Sequence, residues 1–336
     1  MGFGVGQSIE DVDYTTVYDK IKAVYGPVST GYGQSMSANP VVADPTKVIT
    51  AAEWNDLKSY IINARVHQIG TTGVTNAFDA DQIAVGRIIK YNEHLKLLND
   101  IANACVTDKY LMHSSQYSEE QSATYSYTSG WGGGANRTLN IKVELTATVF
   151  DGSTWRGFEY YFNAGGSLRF TFERTGGSTN SKNTSWSNLL SNVGAVDFNY
   201  TRTDGAGNTS SGSTLGFQDI PNNSTFYEIF KRGVVDGGVY SENNMTVSVN
   251  NSSNAKLIFH FRFDDVDSGD QRPGGYPGSP FGPGADNSYN PLGPAEDESV
   301  DGTLNVKIFQ RRPSGVYVNV TGFSYSAPSG WYITNG

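Results

Sequence analysis

Residues 137–150 read RTLNIKVELTATVF. Leu139, Ile141, Val143, Leu145, Ala147 and Val149 alternate without a miss against Asn140, Lys142, Glu144, Thr146 and Thr148. A period of two puts the apolar side chains on one face of an extended strand and the polar ones on the other. This run decides the fold class, because it marks the change from a helical N-terminal third to a β-rich remainder.

Working outward toward the N-terminus, the pattern turns helical. Over residues 8–25, Tyr14, Val17, Ile21 and Val24 step by three and four, with Ser8 or Asp13 as caps and Gly26-Pro27 as a stop. A long Gly/Ser/Pro connector follows. Thr50-x-x-Glu53 is a capping box, in which hydroxyl and carboxylate each satisfy the other residue's backbone N–H. It opens a second helix whose stripe is Trp54, Leu57, Ile61 and Ala64 and which stops at Gly70. A second box, Asp79-x-x-Gln82, opens a third helix with the seam Ile88, Tyr91, Leu95, Leu98, Ala102 and Cys105. The two longer helices should pair as an antiparallel hairpin. Their stripes, with Trp54, Leu57, Ile61, Tyr91, Leu95 and Leu98 as the candidate contact residues, either bury one another in a small bundle or meet a copy of themselves in a symmetric oligomer.

Toward the C-terminus, residues 111–136 read as a linker with one short strand. Short strands are then expected at 160–163, 167–172, 193–200, 226–230, 245–249, 257–263, 304–309, 316–320 and 323–325, with SWSNLL at 185–190 as a single helical turn. Gly- and Asp-rich turns separate them. That punctuation predicts an α+β protein: a helical region over 1–115, then an antiparallel, jelly-roll-like β-sandwich over 116–336. Residues 268–297 hold half of the twelve prolines and form a Gly/Pro-rich loop.

Composition narrows the function. The 336 residues are 17% charged and 12% aromatic, with 39 glycines, which suits a turn-rich β protein with large buried rings. A net charge of −9 argues against nucleic acid as a partner, since phosphate contacts need clustered Lys and Arg. No apolar run is long enough to span a membrane. The opening MGFGVGQS has neither a basic nor an apolar signal region, so synthesis in a cytoplasm is expected. The single cysteine, Cys105, excludes an intrachain disulfide and is expected as a small core residue.

The sequence carries few motifs of known chemistry. The four histidines have no metal-ligand spacing, and there is no nucleophile elbow or phosphate loop. Glu144, Glu159 and Glu173 are the carboxylates a glycosidase reading would use. Trp131, Trp155 and Trp331 are the rings a sugar-binding reading would use. The run Asp264-Asp265-Val266-Asp267-Ser268-Gly269-Asp270 has the hard oxygens to wrap calcium, with Asp265, Asp267 and Asp270 as ligands. The alternative is an Asp-rich turn whose carboxylates serve local backbone N–H groups.

Several phrases taken in order carry a resemblance. They are Gly4-x-Gly6-Gln7-x-Ile9 leading to Tyr14, Gly31-Tyr32-Gly33-Gln34, and Ile49-Thr50-Ala51-Ala52-Glu53-Trp54-Asn55-Asp56-Leu57 running to His67-Gln68-x-Gly70. Tyr161-Phe162-Asn163-Ala164-Gly165-Gly166-Ser167-Leu168-Arg169-Phe170, Phe261-x-Phe263-Asp264-Asp265 and Asp297-Glu298-x-Val300-Asp301-Gly302 continue the series. Together they resemble virion structural proteins of tailed phages, particularly the large contractile-tailed phages of cyanobacteria and other marine hosts. The resemblance implies an assembled, non-enzymatic component located in the virion, without fixing its position there; a tail, neck or baseplate appendage is the expected place. Its partners would be other virion proteins and copies of itself, with no cofactor other than the calcium weighed above. The helical region would dock and the β-domain would be displayed. The rivals are a receptor- or glycan-binding module and a polysaccharide depolymerase.

Overall fold

The computed structural model describes residues 11–36, 49–71, 94–132, 137–147, 154–205, 215–235, 240–251, 256–266 and 299–335. The protein is α+β. It divides into two compact units, one helical and one built of sheets. The helical unit takes Met1–Glu120 and adds Ala147–Ser167 and Arg311–Gly322, while the sheet unit takes Gln121–Thr146, Leu168–Gln310 and Phe323–Gly336. The first helical stretch therefore ends close to the expected boundary near 115. The two later insertions do not show in the sequence.

In the helical unit, α1 (Asp11–Tyr25), α2 (Ala51–Ile69) and α3 (Lys96–Thr107) pack pairwise against one another. The Thr50 box forms as read: Glu53 N donates to Thr50 Oγ1 at 3.2 Å, and Thr50 N donates to Glu53 Oε2 at 2.8 Å. Gly70, at φ +80°, closes α2, a conformation that favours glycine. Polar residues tie the bundle internally. Gln68 Nε2 donates to Tyr32 Oη at 2.9 Å and to the Cys105 carbonyl at 2.8 Å. Arg65 pairs with Asp108 at 2.6 Å.

A fourth helix, α4 (Thr154–Asn163), belongs to the same unit. It replaces the strand expected at 160–163. Phe158, Tyr160, Tyr161 and Phe162 are all buried, and the four residues 160–163, buried on every side, are too few to show a period that tells helix from strand. Asn163 Nδ2 fastens the helix to the Ser29 and Gly31 carbonyls at 2.9 and 3.1 Å.

The strands, in chain order, are β1 (Tyr117–Tyr127), β2 (Trp131–Gly132), β3 (Arg137–Ala147), β4 (Ser167–Thr175), β5 (Ala195–Phe198), β6 (Thr203–Gly205), β7 (Asn223–Gly233) and β8 (Asn244–Asn251). They continue with β9 (Lys256–Asp265), β10 (Ser299–Val300), β11 (Thr303–Pro313), β12 (Phe323–Ser326) and β13 (Trp331–Asn335). One sheet runs β1-β11-β4-β5-β6 and another β12-β3-β9-β8-β7, with β13 also on β3; β10 and β2 form a two-stranded ribbon. Helix α5 (Ser181–Val193) lies between β4 and β5 in sequence.

The organising strand β3 pairs antiparallel with β9, placing Ile141 opposite Phe261 and Val143 opposite Phe259. Its inward residues Leu139, Ile141, Val143 and Leu145 are fully buried. Two sheets face each other through aromatic rings. Phe170 on β4 meets Phe259 and Phe261 on β9 at centroid distances of 4.8 and 5.2 Å, and Phe198 on β5 meets Phe259 at 5.3 Å. These are the offset and edge-on separations that aromatic pairs prefer, and they make the sheet unit a sandwich.

Three further expectations change. The linker over 111–136 contains β1, a strand of 11 residues. The single turn at 185–190 is a helix of 13 residues, capped by Asn180 accepting from Asn183 N at 2.7 Å. The strand expected at 316–320 keeps its alternation only over 317–320, with Val318 and Val320 buried and Tyr317 and Asn319 exposed; Val316, which should share the Val318 face, is exposed, and the segment's ladder contact is the isolated bridge Ser314–Asn319.

Candidate functional site

Asp264 and Asp265 close β9 on opposite faces, as a strand's alternation requires. Asp264 accepts from Thr138 Oγ1 at 2.7 Å and from Arg262 Nη2 at 2.9 Å. Asp265 points inward and is fully buried. There its Oδ2 pairs with Lys182 Nζ at 2.9 Å, and its Oδ1 accepts from Asn243 Nδ2 at 3.0 Å and Trp186 Nε1 at 3.4 Å. The Asp265 carboxylate, expected as a calcium ligand, is thus occupied by an ammonium. Asp267 and Asp270 lie outside the described residues. Among the described residues, no three His, Cys, Asp or Glu side chains gather as a metal site.

A second polar clasp lies at Asp301. Its carboxylate accepts from Ser178 N at 2.9 Å, from Arg174 Nη2 at 3.0 Å and from Asn183 Nδ2, while Asp301 N donates to Asn183 Oδ1 at 3.0 Å. Burial works to raise this carboxyl, but the hydrogen bonds from Ser178, Asn183 and Arg174 together hold it below its ordinary value. The clasp binds the β10–β11 turn to the start of α5, which is a structural role.

The helix stripes are spent inside the helical unit. Trp54, Leu57, Ile61, Leu95 and Leu98 are all at most 2% exposed, so none offers a surface to a second chain while the unit is folded. Tyr91 lies outside the described residues. Cys105 is buried in the same core, and burial pushes its thiol up to about 12, away from thiolate chemistry.

The exposed large apolar side chains of the helical unit lie off these stripes, at Val12, Val106 and Leu111 and in one further segment. In the segment 314–320, Val316 is 90% exposed and Tyr317 is exposed beside it. Yet the backbone around them is fixed. Ser314 N donates to the Gln116 carbonyl at 3.0 Å, Val320 N to the Pro313 carbonyl at 2.9 Å, Gln34 Nε2 to the Asn319 carbonyl at 3.3 Å, and Tyr25 Oη to the Tyr317 carbonyl. A loop tied at four points presents an apolar tip at little further cost in chain entropy.

The sheet unit has a hollow of about 320 Å³ lined by Ser185, Asn188, Leu189, Ser191, Asn192, Val234 and Val235. Its lining carries hydroxyls, amides and aliphatic groups without charge. The candidate sugar-stacking rings are not in it. Trp131 is 4% exposed and packs on Trp186 at 4.7 Å, and Trp331 lies against Tyr127 at 5.6 Å. The Trp155 side chain lies outside the description. Of the candidate acids, Glu144 is paired with Lys256 at 2.7 Å and Glu173 with Lys307 at 2.6 Å, on strands of different sheets. Among the described residues, no helix is long and apolar enough to cross a membrane.

Set against family models, curated proteins and solved structures, the chain finds no match.

Proposed function

We propose that this chain is a non-enzymatic structural component of a tailed-phage virion. It sits in a tail, neck or baseplate appendage and works through contacts with other virion proteins and with copies of itself. The observation that carries this reading is the 314–320 segment: an exposed Val316 and Tyr317 held out on a loop whose own backbone is already fixed. A preordered apolar knob of this kind favours a protein partner, because little entropy remains to be lost when it is covered. The resemblance of the chain to virion proteins points the same way, with the helical unit docking and the sheet unit displayed. The test is to locate the chain in intact particles by electron microscopy and to score incorporation of Val316→Asp. Density outside the tail, neck or baseplate, or normal incorporation of the variant, would overturn the reading.

A second reading, recognition of a neutral saccharide, draws on the uncharged hollow beside α5. Amides and hydroxyls there match sugar hydroxyls as donors and acceptors. A glycan array on the purified chain, repeated with Asn188→Ala/Asn192→Ala, tests it. Binding that the double variant abolishes supports this reading, and an array without binders removes it.

A further inference from the structure

We infer that Lys182 and Asn243 become joined by an intramolecular isopeptide bond, with Asp265 as the proton carrier. All three residues are fully buried in the sheet unit. They arrive from separate elements: Lys182 from the first turn of α5, Asn243 from the residue before β8, and Asp265 from the end of β9. The carboxylate stands between the two nitrogens, 2.9 Å from Lys182 Nζ through Oδ2 and 3.0 Å from Asn243 Nδ2 through Oδ1. Val266 N donates to Asn243 Oδ1 at 2.8 Å. That bond fixes which end of the amide is oxygen, and it places a donor where negative charge develops on attack. Trp131, Trp186 and Phe263 wall the site with ring centroids 4.7–6.3 Å apart. Gly132, at φ +72°, closes over Asp265 Oδ2, which a Cβ at this position would overlap.

A charge pair alone is a poor reason to build such a place, since taking both ions out of water costs as much as their attraction returns. As a reaction site the same parts have separate uses. Within the pair, a proton passes from the Lys182 ammonium to the Asp265 carboxylate and leaves a neutral amine. The Nζ lone pair attacks Asn243 Cγ; the N–C bond forms and the carbonyl π electrons move onto Oδ1, facing the Val266 N–H. Asp265 gives its proton to Nδ2 and takes one from Nζ. The carbonyl re-forms, and the Cγ–Nδ2 bond breaks with its electron pair, releasing ammonia. A primary amine and a primary amide have become a secondary amide and ammonia, with nothing oxidised or reduced. Fixed placement and exclusion of water supply the rate. An amide between Lys182 and Asp265 themselves would need a second acid for the departing oxygen, and neighbouring Asp264 is engaged with Thr138 and Arg262 instead.

The test is the intact mass of the purified full chain under denaturing conditions, followed by a protease digest. The expected result is a mass one ammonia below that of the sequence, and a branched peptide linking the Lys182 segment to the Asn243 segment. Asp265→Ala and Lys182→Arg should restore the sequence mass and abolish the branch. The wild-type measurement decides even if a variant does not fold. A full sequence mass with the two segments in separate linear peptides overturns the proposal. So does an ammonia loss without the branch, or a loss of water with the branch at Asp265.

Discussion

Acid should loosen the helical unit through His67, in an amount that can be worked out. His67 is fully buried, its Nε2 lies 2.8 Å from the Ala164 carbonyl, and its Nδ1 has no partner. The carbonyl can accept only from a protonated Nε2, so the fold holds the neutral tautomer and has no place for a second proton. Burial, partly offset by the Ala164 bond, pushes the imidazole from 6.5 down to about 4. Because the folded value is the lower one, the unfolded chain binds more protons between those limits. The stabilisation is therefore fully present above the unfolded value and is lost as pH falls toward the folded one. Integrating the proton uptake, a drop from pH 7 to pH 5 should cost about 2 kcal/mol, rising to roughly 3 kcal/mol below the folded value. Urea unfolding of wild type and His67→Gln at both pH values isolates this share, since carboxylate contributions cancel in the comparison. The glutamine amide can still donate to Ala164, and its pH 7-to-5 loss should be smaller by that amount. Equal pH losses in the two proteins, or a His67 proton resonance titrating near the ordinary value, would refute the reasoning. His260 in the sheet unit is shifted the same way, to about 4, by burial and by the Lys142 and Arg262 cations. Being partly exposed, it should contribute less.

Two structural predictions and one chemical one follow from the packing. Phe259→Ala removes the ring that meets both Phe170 and Phe198, and should destabilise the sheet unit by about 3–5 kcal/mol in chemical denaturation, against under 1 kcal/mol for an exposed site. Thr50→Ala removes the hydroxyl arm of the α2 cap, leaving the residue-50 N–H on the Glu53 carboxylate, and should cost about 1 kcal/mol, read as a shift in the denaturation midpoint of the helical unit. Cys105, buried and with its thiol raised, should resist a thiol reagent in native buffer and react at once in urea. Rapid native labelling would contradict its placement in the core.

What could be read from sequence was what repeats locally. The alternation of β3 reports a face whose apolar residues are all buried, although Thr138 and Asn140 on the other face are buried too. The Thr50 box is a four-residue event and appears as written. Helix α5 was legible too: Trp186, Leu189, Leu190 and Val193 follow the i, i+3, i+4, i+7 rule, and Asn180 is a good cap. Reading it as one turn gave the Ser and Asn between those positions too much weight. In α4 the helical spacing of Trp155, Phe158 and Phe162 was there to read, but the last turn, buried on every side, masks it. The Asp-rich run shows a different limit. Three or four nearby carboxylates suggest a cation, but the cation that Asp265 meets is Lys182, 83 residues away in the chain. No local pattern marks that lysine, and only the folding of α5 against β9 and β10 brings it there. Val316 shows the same limit. A strand's alternation would put Val316 on the face of Val318 and Val320, yet those two are buried and Val316 is exposed.

The isopeptide proposal bears on how a chain with one buried thiol could be locked. A disulfide is excluded here, since Cys105 is the only cysteine. An amide between Lys182 and Asn243 would close a loop of 243 − 182 = 61 residues and, in the chain-entropy picture, would stabilise the fold by roughly 4 kcal/mol. That is comparable to a disulfide, but it cannot be reduced. The cross-link would span α5, β5, β6 and β7, and so hold the strands that carry Phe198 and the end of β7 beside the hollow. A particle component that must survive outside a cell would gain most from such a lock, because an unfolding event that cannot run to completion is readily reversed. The two ideas stand apart experimentally. The mass of the purified chain can show the bond whatever the particle does, and a particle located by microscopy can contain the chain with Lys182 and Asn243 unlinked.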